Sequence, residues 1–222
     1  MIKKFKNFLI GILVLSVLFS PIFIKVKVEC KSQIGDCPNE VVEKLKVING
    51  KNLLNAKGWV SKVLTGNFLI SNYSAQLKLP NILMVNVIVK KPIYAVYDKT
   101  QNSYSLVDSS GYVLSVSGAS TLPTLVKETV NEKVSERIAE SDLYALKLIQ
   151  GINQMYQISI GTIQNDTLVV DMPLGIRVIL PLSGYDTQVL LGSLRLIYTK
   201  VTTSYDGVYS QIDMRFKNPV IR

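Results

Sequence analysis

The stretch CPNEVVEKLKVINGKNLLNAKGWVSKVLTG, residues 37–66, predicts two consecutive α-helices. In its first half, apolar residues recur at helical spacing behind Pro38, which suits the first position of a helix, and Gly50 follows the last turn. The second helix is expected to have Asn55 as its N-cap and to stop at Gly66. Two short helices can bury their apolar faces only against another layer, so strands are expected on either side.

The segments that flank the helix pair alternate apolar and polar residues with period two, as strands with one buried face do. FIKVKVEC, residues 23–30, lies before the helices. SAQLKLPN, residues 74–81, and ILMVNVIVKKP, residues 82–92, lie after them. The predicted order is β-α-α-β-β, which is a small α+β module over residues 23–92.

Residues 93–222 are richer in strands and predict a mostly antiparallel β domain with flanking helices. Short alternating runs separated by turn residues recur from YAVYD to IRVILPL. NEKVSERIAESDLYALKLIQGINQMY, residues 131–156, has the apolar stripe of an amphipathic helix. TQVLLGS, residues 187–193, predicts a further strand, and the segment after it predicts a helix capped by Ser193.

The chain ends on YSQIDMRFKNPVIR, residues 209–222, which predicts one last strand. Ile212, Met214 and Phe216 alternate with polar residues, so these three side chains would share a face. No residues follow that could form a hairpin with this strand. The pattern itself leaves open what this strand pairs with.

The N-terminal residues predict a membrane anchor. Three lysines and the amino terminus precede FLIGILVLSVLFSPIFI, residues 8–24, which is uncharged and just long enough to cross the hydrocarbon core as a helix. The positive charge before it would keep residues 1–7 in the cytoplasm and place the rest of the chain outside. A cleaved signal peptide is the alternative, but the residues around Pro21 are bulky and lack a small-x-small cleavage pattern.

The composition limits the chemistry that the protein can perform. Hydrophobic residues make up 48% of the chain and charged ones 18%, which allows a folded core. The net charge of +9 favours anionic contacts, and outside the cytoplasm these would be lipid headgroups, wall polymers or an acidic protein rather than nucleic acid. Histidine is absent and cysteine occurs twice, so neither a metal site nor a cofactor is predicted.

The two cysteines, Cys30 and Cys37, are seven residues apart. A disulfide between them would close a small loop and stabilise the fold by roughly 2.5 kcal/mol in the loop-closure model. Such a bond requires an oxidising compartment, which the predicted topology supplies. Two unpaired thiols are the alternative, and the spacing leaves both open.

Eight short motifs occur in a fixed order along the chain. They are FIKVKV after the apolar run, GKNLL at 50–54, KLP at 78–80, VIVKKP at 87–92, LVDSSGYVL at 106–114, LPTL at 122–125, VLLGS at 189–193 and IDMRFKNPVIR at 212–222. Each is weak alone, but their order and spacing over nearly the whole chain resemble the FtsQ/DivIB family of bacterial cell-division proteins. The chain departs from the family pattern at Cys30, where a glycine is usual, and in its very short N-terminal tail.

The resemblance implies a cytoplasmic tail (1–7), a transmembrane helix (8–24), a POTRA domain (23–92) and a β domain (93–222). It implies a protein of the cytoplasmic membrane, at the division septum, without catalytic activity, cofactor or small-molecule substrate. Such a protein would be a scaffold of the divisome that supports septal wall synthesis. Its partners would be FtsB/DivIC-like and FtsL-like membrane proteins, which add a strand to the edge strand at the C-terminus.

By motif position, the resemblance assigns partner contacts to Arg215, Phe216 and Asn218. An exposed strand edge is a row of unpaired backbone groups, and proteins usually protect it with charge or proline. Arg215, Lys217 and Pro219 would restrict self-pairing and still admit an acidic partner strand. The alternatives are that Phe216 packs in the core, as the period-two pattern favours, and that Arg215 is a solvated edge charge.

Three other classes of protein are weaker interpretations. An enzyme would have to work without histidine, no serine lies in a catalytic motif, and the aspartates fall at or beside turns, as at Asp108, Asp166, Asp171 and Asp186. A module that binds cell-wall polymers could use the positive charge, although the lysines are scattered. Another POTRA-containing envelope protein is the third alternative.

Overall fold

The computed structural model describes residues 24–203 and 209–222. The chain forms two compact units, which divide between Lys90 and Lys91, whereas the sequence prediction put the boundary after residue 92. Each unit has its own sheet and its own apolar core.

The first unit combines a four-stranded sheet with two helices. Its elements in chain order are β1 (Lys27–Ser32), β2 (Gly35–Asp36), α1 (Asn39–Lys46), α2 (Leu53–Thr65), β3 (Ile70–Lys78) and β4 (Ile82–Val89). The strand order is β2-β1-β4-β3, with β1 parallel to β4 and the other two pairs antiparallel. Because parallel neighbours need a crossover connection, the helix pair and β3 lie in the chain between them.

The helices of the first unit each bury one stripe in the core. Val41 and Leu45 of α1 are buried, as are Val60 and Leu64 of α2. The N-cap of α2 is Asn52, whose side-chain oxygen accepts the N–H of Asn55 at 2.9 Å. The prediction that Asn55 is the cap is therefore wrong by three residues. Asn55 is the third residue of the helix, and its N–H donates the hydrogen bond that Asn52 accepts.

Cys30 and Cys37 form a disulfide in the first unit. The short hairpin of β1 and β2 pairs Lys31 with Asp36, which brings the two cysteine Cα atoms to 5.8 Å from each other. Cys37 is buried in the core of the unit, and Cys30 packs against it. The disulfide thus joins β1 to the residues just before α1. Of the two alternatives left open by the sequence, the structure has the disulfide and not the two free thiols.

The second unit combines a nine-stranded sheet with two long helices among its described residues. Its elements are β5 (Tyr94–Asp98), β6 (Ser103–Val107), β7 (Val113–Ser117), β8 (Thr124–Lys127), α3 (Glu140–Tyr156), β9 (Ile160–Gln164), β10 (Thr167–Asp171), a 3₁₀ turn (Pro173–Gly175), β11 (Arg177–Leu180), α4 (Thr187–Thr203), β12 (Gln211–Asp213) and β13 (Val220–Ile221). The strand order is β13-β12-β11-β10-β9-β8-β5-β6-β7. Five of these eight strand pairs are antiparallel, so the sheet is mostly antiparallel.

Close packing of helix against sheet and of helix against helix depends on two glycines in the second unit. A Cβ added to Gly161 in β9 would lie 2.7 Å from Leu168 Cδ1 and 2.8 Å from Ile149 Cδ1. One added to Gly151 of α3 would lie too close to the side chain of Leu191 in α4. Both glycines therefore let a backbone approach its neighbour more closely than any other residue would allow.

One helix prediction and one strand prediction in the second unit are wrong. Residues 131–139 are not helical, because Val113 N–H donates to Glu136 O and Ile138 N–H donates to Gly111 O, at 2.9 Å each. This tertiary pairing takes precedence over the helical periodicity. TQVLLGS is not a strand but the beginning of α4, and its continuous apolar run gave no periodicity that separates the two states.

The expected fold class is also wrong where it includes a transmembrane helix. Across residues 24–203 and 209–222, none of the helices has both the length and the apolar character that crossing a bilayer requires. The segment predicted to span the membrane, residues 8–24, lies outside the described residues except for Ile24, as does the predicted tail at 1–7. The described chain is α+β, with four α-helices and many strands.

The tight contact at Gly161 gives a stability prediction. We expect Gly161→Ala to lower the free energy of unfolding by about 1–3 kcal/mol, because its methyl group would overlap Leu168 and Ile149. Chemical denaturation followed by circular dichroism measures the change. Gly192→Ala in α4 is the matched control, since nothing lies within 4 Å of its added Cβ, and it should hold or raise stability. Equal effects of the two variants would contradict the packing argument.

Candidate interaction site at the C-terminal hairpin

The last 14 residues form a hairpin rather than the single strand expected from the alternation. β12 pairs with β11 in parallel, with Val178 opposite Ile212, and β13 turns back to pair with β12 antiparallel. Ile212 and Met214 are buried in the core of the second unit. The prediction of one closing strand is therefore corrected, because β12 ends at Asp213 and the sheet edge belongs to β13.

The free edge of β13 offers few backbone groups to a partner. Arg222 N–H donates to Gln211 O at 2.9 Å, and Gln211 N–H donates back to Arg222 O at 3.0 Å. In an antiparallel ladder such pairs alternate with pairs whose amides point outward. Ile221, which lies opposite Ile212, thus directs its N–H and C=O away from β12, while Pro219 has no N–H to donate.

An ion pair between a buried carboxylate and a partly exposed guanidinium anchors the turn between the two strands. Asp213 is buried, and its carboxylate accepts Arg215 Nε–H at 2.9 Å and Arg215 N–H at 3.1 Å. A second guanidinium nitrogen reaches the other carboxylate oxygen. The Arg215 side chain holds the pKa of Asp213 below its usual value, against the opposing effect of burial. Arg215 is therefore not the solvated edge charge of the alternative interpretation, because its charge is used within the turn.

The turn places the three residues that the family resemblance assigned outside regular strand structure. Phe216 is 55% exposed, which excludes the alternative that it packs in the core. Its ring centroid lies 5.6 Å from Arg215 Cζ, so the guanidinium covers one side of it. Asn218 is exposed as well. All three thus lie in one turn beside the sheet edge, with Phe216 presenting its ring to solvent.

An apolar groove of about 340 Å³ lies between this turn and α4. Its walls are Tyr185, Val189, Leu190, Ser193, Leu196, Ile197, Met214, Phe216, Lys217 and Pro219. Val189 and Leu196 are 66% and 74% exposed, and they line one groove together with Phe216, so the exposed apolar surface here forms a patch rather than single side chains. The groove therefore joins exposed apolar surface on the helix to the exposed ring of Phe216.

The helical side of the groove follows from the local sequence. Asp186 starts α4, because its carboxylate accepts the N–H of Gln188 at 2.8 Å and that of Val189 at 3.1 Å. Leu190, Leu194 and Tyr198 lie on the buried stripe of α4. Val189 and Leu196 lie on the adjacent exposed stripe. Val189 was missed at the sequence level because TQVLLGS was assigned to a strand, whereas Leu196 lies in the segment that was correctly predicted as a helix but was given no binding role. The aspartate before an apolar run at helical spacing was the signal for this helix.

Buried or turn carboxylates elsewhere in the second unit have structural partners. Asp98 accepts three backbone N–H groups, from Thr100, Gln101 and Val130, and these bonds, led by that of Gln101, lower its pKa. Asp142 forms a 2.6 Å ion pair with Lys127. In residues 24–203 and 209–222, no cluster of three or more His, Cys, Asp or Glu side chains could hold a metal ion.

No family model matches this chain, and no curated protein matches it significantly.

The pKa of Asp213 gives a prediction about acid stability. A carboxyl whose pKa is lowered by folding stabilises the native state above its unfolded pKa, and that contribution is lost as the pH falls through the folded value. We expect Asp213→Asn to lower the free energy of unfolding by about 1 kcal/mol at pH 7, because the half-exposed guanidinium weakens the pair. The difference from the wild type should shrink below the ordinary aspartate pKa of 3.8.

Urea denaturation at several pH values between neutrality and pH 3 measures this difference. Asp166→Asn is the matched control, since it makes the same chemical change in the turn between β9 and β10, away from Arg215. A gap between wild type and Asp213→Asn that stays constant down to pH 3 would contradict the ion-pair argument.

Proposed function

We propose that this protein is a non-catalytic scaffold of the bacterial division complex, of the FtsQ/DivIB type. The described part of the chain works outside the cytoplasm, at the outer side of the cytoplasmic membrane and at the septum. It binds small membrane proteins of the FtsB/DivIC and FtsL type through the C-terminal hairpin and its groove. The observation that carries the proposal is the exposed, apolar groove directly beside a free sheet edge.

The first unit supports the proposal through its topology. Its order of strand, helix, helix, strand, strand is the order that a POTRA domain has, apart from the two-residue strand β2. The disulfide between Cys30 and Cys37 supports a position outside the cytoplasm, because such bonds persist in oxidising compartments. The ordered motifs along the sequence support it independently of the fold.

The hairpin supports a binding mode in which backbone and side-chain contacts act together. A partner strand can accept a hydrogen bond from the N–H of Ile221 and donate one to its C=O. The side chains of the partner strand that follow this contact then reach the groove beside α4. Backbone pairing gives affinity without sequence preference, whereas the apolar groove selects the partner's side chains. Lys217 at the groove favours an acidic residue in the partner at this position.

The groove gives the main test of the proposal. We expect Phe216→Glu and Leu196→Glu each to weaken binding of the outer segment of the cognate FtsB/DivIC-like protein by roughly tenfold or more, as loss of a central apolar anchor does. Calorimetric titration of the detergent-solubilised full chain measures the affinity. Both side chains are more than half exposed in the free protein, so both variants should keep their circular dichroism spectrum.

Val116→Glu is the matched control for these variants. Val116 is a 55% exposed apolar residue on β7, which is the opposite edge of the same sheet. The Val116→Glu variant should bind the partner segment with the affinity of the wild type. Normal binding by both groove variants would move the site elsewhere, and the absence of binding by the wild type would contradict the proposed function itself.

Strand addition has a separate test at Ile221. We expect Ile221→Pro to weaken partner binding more than Ile221→Ala does, because only proline removes the outward N–H while both truncate the side chain. The internal bonds between Gln211 and Arg222 should survive both changes. The same calorimetric titration applies, and equal losses in the two variants would show that the partner uses the side chain and not the backbone edge.

A further inference from the structure

The positive charge of the protein is concentrated in the first unit. Residues 24–90 contain ten lysines and four acidic residues, whereas residues 91–222 contain twelve basic and twelve acidic residues. The asymmetry is sharper still within the first unit, because residues 44–90 contain seven lysines and no acidic residue at all. The first unit is thus the part of the described chain that an anionic surface attracts.

Helix α2 presents an exposed aromatic residue in the middle of this basic region. Trp59 is 38% exposed, and its ring centroid lies 4.7 Å from Lys51 Nζ and 5.8 Å from Lys62 Nζ. Leu54, in the first turn of the same helix, is 56% exposed. The outer surface of α2, formed by Lys51, Leu54, Trp59 and Lys62, therefore combines apolar side chains with two ammonium groups and no carboxylate.

The described chain begins directly beside this surface. Leu53 N–H donates to Ile24 O at 3.0 Å, and Val26 N–H donates to Lys51 O at 3.1 Å. In the sequence, Ile24 ends the apolar run at residues 8–24. Ile24 thus lies next to Leu53, at the start of the helix that carries Trp59.

We propose that the outer surface of α2 rests on an anionic lipid bilayer, with Trp59 and Leu54 at the level of the headgroups and Lys51 and Lys62 on lipid phosphates. Tryptophan prefers the interface between water and hydrocarbon, because its ring is apolar and its N–H is polar. Lysines beside it add attraction to acidic headgroups. This inference does not depend on the C-terminal hairpin or on its partner.

A lipid surface is a better occupant than a protein for two reasons given by the structure. The apolar side chains are few and are flanked by lysines, which suits shallow insertion rather than the burial of a packed interface. The charge excess also extends over the whole unit rather than over one pocket, and a planar array of negative headgroups matches such a field.

The test uses Trp59 itself, since it is the only tryptophan of the chain. The full chain is placed in nanodiscs of phosphatidylglycerol or of phosphatidylcholine, and tryptophan emission and its quenching by brominated lipids of the same headgroup are measured. We expect emission at shorter wavelength and about twofold or more stronger quenching in phosphatidylglycerol. High salt should reduce the difference, because it screens exposed charges.

The variant Lys51→Gln/Lys62→Gln should lose the dependence on phosphatidylglycerol. The matched control is Lys44→Gln/Lys46→Gln on α1, whose ammonium groups are paired with Glu40 and Glu43 at 2.6 Å, and it should keep that dependence. If the double variant fails to fold, the salt titration of the wild type decides alone. Equal quenching in the two lipids, or no quenching in either, would overturn the proposal, while Phe216→Glu should leave the signal unchanged.

Discussion

The parallel pairing of β12 with β11 is the constraint on which the C-terminal surface depends. Parallel neighbours cannot be joined by a tight turn, so a helix must connect them, and α4 is that helix. Ile212 and Met214 then enter the same core as the buried stripe of α4. The turn that follows β12 is thereby held against α4, and the groove lies between this turn and the helix. The groove thus results from the connection itself, without a dedicated loop or insertion.

The two units differ in the kind of surface that they can recognise. The second unit is electrically neutral over residues 91–222, and the charge of Arg215 in its turn is already compensated by Asp213. Under the proposed function, its recognition of a partner rests on apolar contact and on backbone groups, with Lys217 at the groove as the charged contribution. The first unit carries the excess charge and suits a partner with a dense negative field. A scaffold of the proposed kind gains from this difference between the units, because the two proposed contacts do not compete for one surface.

The order of elements in the first unit could be predicted from the sequence, because alternation and helical spacing agree there with the tertiary packing. Predictions failed where tertiary pairing or apolar continuity overruled local pattern, at residues 131–139 and at TQVLLGS. At the C-terminus, the alternation of Ile212 and Met214 was real, but Phe216 continued the pattern after the strand had ended at Asp213. The period-two pattern alone could not show where the strand ends. The strand ends at the ion pair between Asp213 and Arg215, which is a local bond between polar residues and leaves no mark on the apolar alternation.

The hairpin is short, and this limits what strand addition can achieve alone. Ile221 supplies one outward N–H and one C=O, and Pro219 supplies no donor, so an approaching strand gains few hydrogen bonds from β13. A second copy of this chain would gain equally little, which protects the edge against self-association. A partner can be held only if its side chains also fill the groove beside Phe216 and Leu196. Under the proposed function, specificity therefore lies in the groove, and the backbone edge fixes the direction and register in which a partner strand enters it.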